Sequence, residues 1–135
     1  LISGKVSGII KKKYILSFIY FVRSIVIFLL LILPTNNFTI IAFSCCIGLL
    51  WLSTVPPTSG IVSNRFGTRY LSTLFGIVMV SHQAGAFLGS FLGGLVIDIY
   101  GSLDIAWIMA IVISLFSAII HFPIKEKEKS EEVFA

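Results

Sequence analysis

The sequence predicts an all-α integral membrane protein with four transmembrane helices that follow the end of a fifth. Its mean hydropathy is +1.04, and of its 135 residues 57% are hydrophobic and only 12% are charged. Soluble domains carry about 25% charged residues. The charged residues are also clustered, and the segments between the clusters are almost uncharged. The clusters cover residues 5–13, 65–69, 98–104 and 125–132.

Four apolar runs are long enough to cross a bilayer, whose hydrocarbon core is about 30 Å thick and takes roughly 20 helical residues. They cover residues 14–33, 38–55, 71–99 and 105–122. Residues 1–10 have the character of the end of a helix, and the chain begins with Leu1 rather than methionine. We therefore expect a piece of a longer protein. Residues 1–124 would form part of a membrane bundle, and residues 125–135 a charged, solvated tail.

The connections between the runs predict the membrane topology. Lys11 to Lys13 precede the first run, uncharged PTNN follows it, and NRFGTRY precedes the third run. Loops rich in Lys and Arg stay in the cytoplasm, so both ends of this segment are expected to face the cytoplasm. The net charge of +4 is then explained by topology rather than by a nucleic-acid partner. Trp51 and Trp107 lie near run ends, where aromatic belts are expected.

Arg23 lies in the middle of the first run, about 14 Å along the helix from either end. Its side chain does not reach the headgroups from that depth, and a central arginine costs at least about 2.5 to 3.5 kcal/mol on insertion scales. It is therefore expected to face protein, water or an anionic ligand. Two roles remain open, namely pairing with an acid elsewhere in the protein and contact with a solute or gating.

His82 and Gln83 form a polar pair near mid-depth in the third run. Histidine titrates close to neutral pH and carries or senses protons. The alternative is that both side chains only hydrogen-bond to neighbouring helices. No catalytic arrangement is visible, because His82 and His121 are separated by a loop and a span and no acid is near either. Cys45 and Cys46 lack metal-ligand spacing. We expect no enzymatic activity, no metal and no other cofactor.

The third run is longer than a straight bilayer crossing requires. A helix over residues 71–99 extends about 43 Å, so it must tilt, bend or project into water. Ser81, Gly85, Gly89 and Gly93 fall at intervals of four on one helix face. Such a stripe of small residues lets another helix approach closely. We expect it to serve packing within the chain, although the same stripe can also join two copies.

A basic pattern occupies the connection between the second and third runs. It consists of Gly60, Asn64, Arg65, Gly67 and Arg69. Glycines permit tight turns, and the arginines can meet helix C-terminal carbonyls and anionic lipid headgroups. Two interpretations remain open: the arginines only set the topology, or the loop also acts as a gate at the cytoplasmic surface.

The stretch from Trp51 to Gly94, WLSTVPPTSGIVSNRFGTRYLSTLFGIVMVSHQAGAFLGSFLGG, resembles the late transmembrane region of major facilitator superfamily carriers. The shared features are the Pro56 and Pro57 pair that ends one helix, FGTRY, the LFG that opens the next helix, and SHQAG followed by spaced glycines. GSLDIAW and HFPIKE are similar to the end of such proteins, so the resemblance covers essentially the whole chain. It is strongest to the branch with oxalate/formate antiporter-like and monocarboxylate transporter-like proteins.

This resemblance implies a fold of twelve helices in two six-helix bundles, with these helices in the C-terminal bundle and the N-terminal bundle of the same chain as their partner. The basic pattern matches the cytoplasmic loop motif of the superfamily, with Asn64 where the motif has aspartate. A weaker copy occupies residues 4–13, with Gly8 in the position of the acid.

The function that the resemblance implies is secondary transport in a bacterial-type inner membrane. The solute would be a small organic molecule, a mono- or dicarboxylate, moved with a proton or counter-solute by alternating access. Membrane lipid is the remaining partner. The alternative from another class is a four-span membrane assembly protein that uses the glycine stripe as its contact surface.

Overall fold

The computed structural model describes residues 11–124, and all of its regular secondary structure is helical. The helices are α1 (Lys12–Ile32), α2 (Asn37–Phe66), α3 (Leu71–Tyr100) and α4 (Asp104–Ile120). The first three are long and apolar enough to cross a membrane, and α4 is a shorter apolar helix of 17 residues. The all-helical prediction is confirmed for this part of the chain. The predicted helix end in residues 1–10 and the tail in residues 125–135 lie outside it.

The connection between α1 and α2 follows from its proline and asparagines. Leu33 has an extended backbone with ψ 147°, the conformation that a following proline favours, so α1 ends before Pro34. Asn36 then caps α2, because its side-chain oxygen accepts a hydrogen bond from the Thr39 backbone N–H at 2.8 Å. A chain reversal of four residues, 33–36, therefore joins the two long helices.

α2 continues through Pro56 and Pro57 to Phe66, so the prediction that the proline pair ends a helix is wrong. The fixed φ of proline is compatible with a helix, and its cost is the missing N–H donor and a clash with the preceding turn. Apolar helices tolerate this cost where neighbouring groups and hydroxyls accommodate the freed backbone. Pro57 is fully buried, so neighbouring groups surround α2 at the proline pair.

α1 is the best-packed helix of the described chain. It lies against both α2 and α4, whereas α3 makes smaller contacts with α2 and α4. The buried apolar side chains include Leu16, Ile19 and Ile27 of α1. The Ser17 hydroxyl joins α1 to α4 by donating to the Ala118 carbonyl at 2.8 Å. α3 buries no residue, so most of its surface is available to lipid or to other helices.

Gly67 makes the turn between α2 and α3, with φ 77° and ψ 172°. This region of backbone conformation is essentially restricted to glycine. We predict that Gly67→Ala lowers the free energy of unfolding by about 1 to 3 kcal/mol. Thermal unfolding of the purified protein in detergent measures the change.

Gly76→Ala is the matched control for the Gly67 variant. Gly76 lies inside α3, and a Cβ atom there meets no neighbour within 4 Å. Because glycine is a poorer helix residue than alanine, this variant is expected to unfold at the same or a higher temperature. Equal losses in the two variants would contradict the assignment of strain to Gly67.

Candidate functional site

Arg23 is half-buried near the middle of α1. Its guanidinium carbon lies 5.3 Å from the centroid of the Tyr20 ring, one turn earlier on the same helix. The Arg23 Nε atom is buried and has no hydrogen-bond partner among the residues that the structure describes. A buried donor left unsatisfied costs about 1 to 3 kcal/mol, and more when it is charged. An acceptor from a ligand or from another part of the protein would remove that cost.

A row of three side chains extends from Arg23 towards the end of α4. The Tyr20 ring stacks on the His121 ring, with a centroid distance of 5.1 Å and an angle of 25° between the planes. His121 is anchored in turn, because its Nδ1 atom is hydrogen-bonded to the Ser117 carbonyl. Sequence reasoning missed Tyr20 and His121 as neighbours of Arg23, because the row joins residues about 100 positions apart. Arg23 therefore belongs to the α1–α4 face of the bundle.

His82 lies beside Trp51, with ring centroids 5.9 Å apart and an angle of 53° between the planes. Both side chains are exposed, as is Gln83. Because α2 extends to Phe66, Trp51 lies at the middle of its helix, although the apolar run in the sequence ends at residue 55. The exposed polar pair of α3 therefore shares its surface with a large aromatic ring from α2.

The structure does not bring Arg23 and His82 together. α1 packs on α2 and α4, and α3 makes smaller contacts with the same two helices. Arg23 contacts Tyr20, while His82 contacts Trp51. The two candidate residues for solute and proton therefore have different neighbours in the described bundle.

The basic pattern is mostly helical, although the sequence suggested a loop. Gly60, Asn64 and Arg65 lie in the last two turns of α2, because this helix continues past its prolines. Gly67 forms the turn that follows, and Arg69 precedes α3, with its guanidinium carbon 5.4 Å from the neighbouring Tyr70 ring. Only the last part of the pattern is therefore a connection between helices.

Lys12 joins this pattern to the start of α1. With its amide oriented to satisfy both groups, Asn64 accepts a hydrogen bond from Lys12 Nζ at 2.8 Å and donates to the Gly60 carbonyl at 3.2 Å. The Lys12 side chain crosses directly over Gly60, since a Cβ atom built there would lie 2.5 Å from Lys12 Cε. Gly60 thus leaves room for the lysine that Asn64 binds. The sequence indicated Lys12 only as a topology signal.

We predict that Asn64→Asp stabilises the contact between α1 and α2. The substitution gives Lys12 a charged acceptor instead of a neutral one, and both residues are half-buried. The carboxylate does not donate to the Gly60 carbonyl, but that carbonyl lies within α2, where a backbone N–H one turn later also reaches it. A partly exposed ion pair contributes up to about 1 kcal/mol, so the midpoint of thermal unfolding should rise. The test is a double-mutant cycle with Lys12→Gln. A rise that persists in the Lys12→Gln background would assign the effect to something other than this pair.

The stripe of small residues on α3 has no close neighbour in the described chain. The Ser81 hydroxyl donates to the Ile77 carbonyl of its own helix at 3.1 Å. Cβ atoms built at Gly85, Gly89 and Gly93 meet nothing within 4 Å. The last two glycines line an open apolar groove of about 360 Å³ between α3 and α4. The expected close helix packing on this stripe is therefore not formed by the described helices.

Long apolar helices, one of which carries a half-buried arginine near its middle, place the chain in the class of polytopic helical membrane proteins. The family profile of the Major Facilitator Superfamily matches residues 1–135. The chain therefore belongs to the Major Facilitator Superfamily.

One curated relative supports the same family. The chain is 26% identical over 138 residues to the uncharacterized MFS-type transporter YcxA of Bacillus subtilis (strain 168). The match covers 98% of this chain and 34% of that protein. The chain thus spans about a third of the length of this relative. No solved structure matches the chain significantly.

Proposed function

We propose that this chain is the C-terminal part of a secondary transporter that moves a small organic solute, a mono- or dicarboxylate, by alternating access. Family membership over residues 1–135 supports transport as the general function. The observation that carries the solute class is Arg23, whose buried Nε atom has no partner among the described residues. A carboxylate is the natural complement of a guanidinium, because it accepts two parallel hydrogen bonds.

The sequence features that resemble oxalate/formate antiporter-like and monocarboxylate transporter-like carriers support the same solute class. They are the proline pair, FGTRY, LFG and SHQAG with its spaced glycines. In this proposal the described helices belong to a C-terminal six-helix bundle, and the substrate path lies between it and the N-terminal bundle of the same chain.

His82 and Gln83 are proposed to carry the proton side of the cycle. Both are exposed in the middle of α3, where an imidazole exchanges protons only if water reaches it.

The Lys12–Asn64 contact is proposed to be a latch between α1 and α2 at the cytoplasmic surface, with Gly60, Arg65, Gly67 and Arg69 forming its surroundings. Following the positive-inside rule, we propose that this surface and both ends of the segment face the cytoplasm, with the protein in a bacterial-type inner membrane.

Uptake into proteoliposomes tests the proposal. The protein encoded by the longest reading frame that contains this chain is purified and reconstituted. Its uptake of radiolabelled formate, lactate, oxalate and succinate is compared with its uptake of a neutral sugar. Each solute is measured with an imposed proton gradient and, separately, with unlabelled solute inside the vesicles. We expect uptake of at least one carboxylate above empty vesicles. Uptake of the sugar alone would overturn the solute class, and no uptake of any solute by folded protein would overturn transport of these substrates.

The second candidate function is membrane assembly through the glycine stripe of α3. The open space around Gly85, Gly89 and Gly93 favours it, because a stripe without neighbours is available to another helix. Single cysteines at Gly89 and at Val80 of the opposite surface, in a background without Cys45 and Cys46, distinguish the two functions. Efficient disulfide crosslinking between copies at position 89 but not at position 80 supports assembly.

A further inference from the structure

Trp51, His82 and Gln83 are exposed side chains with hydrogen-bonding groups near the middle of α2 and α3. Trp51 is 54% exposed, and its ring contacts the His82 ring across the two helices at a centroid distance of 5.9 Å. In the part of the chain that the structure describes, the Trp51 indole N–H, the His82 ring and the Gln83 amide have no hydrogen-bond partner. We refer to these three residues as the Trp51–His82 surface.

The hydroxyl groups beside this surface are satisfied, in contrast to its own polar groups. On α2, the Thr54 hydroxyl donates to the Trp51 carbonyl at 2.7 Å. On α3, the Ser81 hydroxyl donates to the Ile77 carbonyl at 3.1 Å. Hydroxyl side chains return to their own helix in this way. The indole, the imidazole and the amide are left to find partners outside the described helices.

Lipid does not supply these partners. Trp51 lies about 21 Å along α2 from either end of the helix, far from the headgroup level at which the polar edge of a tryptophan ordinarily lies. Hydrocarbon neither donates nor accepts hydrogen bonds, so each group would lose the bonds that it makes in water. The Trp51–His82 surface is therefore expected to meet water or polar molecules.

A closely packed helix is also a poor fit to this surface. Membrane helices approach one another over small residues, whereas the exposed Trp51 and His82 rings hold a neighbouring backbone away. Gly85 follows His82 by one turn, and a Cβ atom built there meets nothing within 4 Å. That space lets small molecules reach the two rings. Water and a small solute therefore suit the surface better than another helix does.

We propose that the Trp51–His82 surface lines the aqueous path of the solute and that Trp51 contacts the solute directly. The inference rests on the proposed transport function, to which it adds Trp51. The indole ring offers an apolar face to the carbon skeleton of a small organic acid, and its N–H offers a donor to one of the acid's oxygens. Water along the same path gives His82 the access that proton exchange requires.

The reactivity of single cysteines tests the water path. The full-length protein is prepared without its native cysteines, including Cys45 and Cys46, and carries either Trp51→Cys or His82→Cys. Each variant is placed in nanodiscs, and its modification by a charged, membrane-impermeant methanethiosulfonate is followed by mass spectrometry. The reagent attacks the thiolate, which apolar surroundings suppress. We expect both cysteines to react at least about tenfold faster than matched cysteines elsewhere on the same helices.

Leu49→Cys and Val80→Cys are the matched controls. Each precedes its counterpart by two residues, about 200° round the same helix, and Leu49 and Val80 are 68% and 70% exposed in the structure. Exposure to lipid without water should leave both cysteines slow. Equal rates at all four positions would overturn the water path. If Trp51→Cys does not fold, the comparison of His82→Cys with Val80→Cys still decides.

Uptake kinetics test the direct contact with the solute. Trp51→Leu removes both the ring and its N–H, so the KM of whichever carboxylate the vesicles take up should rise about fivefold, with a smaller change in the maximal rate. Trp107→Leu is the matched control, because Trp107 lies on α4 and contacts Phe43. It should leave the KM unchanged.

An unchanged KM in Trp51→Leu, or an equal rise in Trp51→Leu and Trp107→Leu, would overturn the contact at Trp51. If folded wild-type protein takes up no carboxylate, the proposed function and the solute contact fail together. The cysteine rates would then still decide separately whether the Trp51–His82 surface lies in water, because they require no transport.

Discussion

Arg23→Gln is expected to lower carboxylate uptake about 10- to 100-fold at low solute concentration. Hydrogen bonds to a charged group contribute about 1.5 to 3 kcal/mol, and about 1.4 kcal/mol corresponds to a tenfold change. Glutamine is shorter and neutral, so it supplies neither the charge nor the paired donors of a guanidinium. The measurement is initial uptake of each labelled carboxylate by proteoliposomes, normalised to the amount of folded protein.

Arg23→Lys is the matched control, because it keeps the charge and removes the planar pair of donors. It should retain more uptake than Arg23→Gln. The folded yield of Arg23→Gln should not fall, since a neutral residue is easier to insert into a membrane than arginine. Unchanged carboxylate uptake in Arg23→Gln would remove Arg23 from the solute path.

A purely structural role for Arg23 makes a different prediction. The guanidinium lies on Tyr20, which stacks on His121, so this row can hold α1 against α4 without any solute. In that case Arg23→Gln and Tyr20→Leu should destabilise the protein to a similar degree and lower transport of every solute alike. Selective loss of carboxylate uptake in Arg23→Gln, with a normal unfolding temperature, separates the two roles.

The sequence predicts the membrane helices well, because hydropathy is a local property. The run at residues 14–33 corresponds to α1 (Lys12–Ile32), and the run at 71–99 to α3 (Leu71–Tyr100). The prediction from sequence fails where a rule drawn from soluble helices is applied to an apolar helix. Proline usually breaks or kinks a helix in water, but α2 continues through Pro56 and Pro57.

The contacts of the candidate residues are not readable from the sequence. The Lys12–Asn64 hydrogen bond and the stacking of Tyr20 on His121 depend on which helices become neighbours, and hydropathy alone does not determine this. The residue types were informative nonetheless. Arg23 was identified as a candidate residue because it is charged within an apolar run, and its Nε atom is buried without a partner among the described residues. The spacing of the glycines identified the stripe on α3, around which the structure leaves open space.

His82→Gln is expected to abolish proton-driven accumulation while leaving solute exchange intact. Glutamine approximates the size and hydrogen-bonding capacity of neutral histidine but does not titrate. Exchange of labelled for unlabelled solute requires no net proton movement, so a residue that serves only the proton should not affect it. We expect wild-type vesicles to concentrate the solute under an inward proton gradient and His82→Gln vesicles only to equilibrate it.

His121→Gln is the control for this experiment, because it removes the other histidine, which lies at the end of α4 against Tyr20. It should keep proton-driven accumulation, since His121 lies beside α1 and His82 lies beside Trp51 on α2. If His82 only supports helix packing, His82→Gln should lower accumulation and exchange together, along with the unfolding temperature. Loss of accumulation with normal exchange is specific to a proton role, because packing defects do not distinguish driven from undriven transport. Loss in His121→Gln instead would place the proton-carrying histidine on the α1–α4 face, beside Arg23.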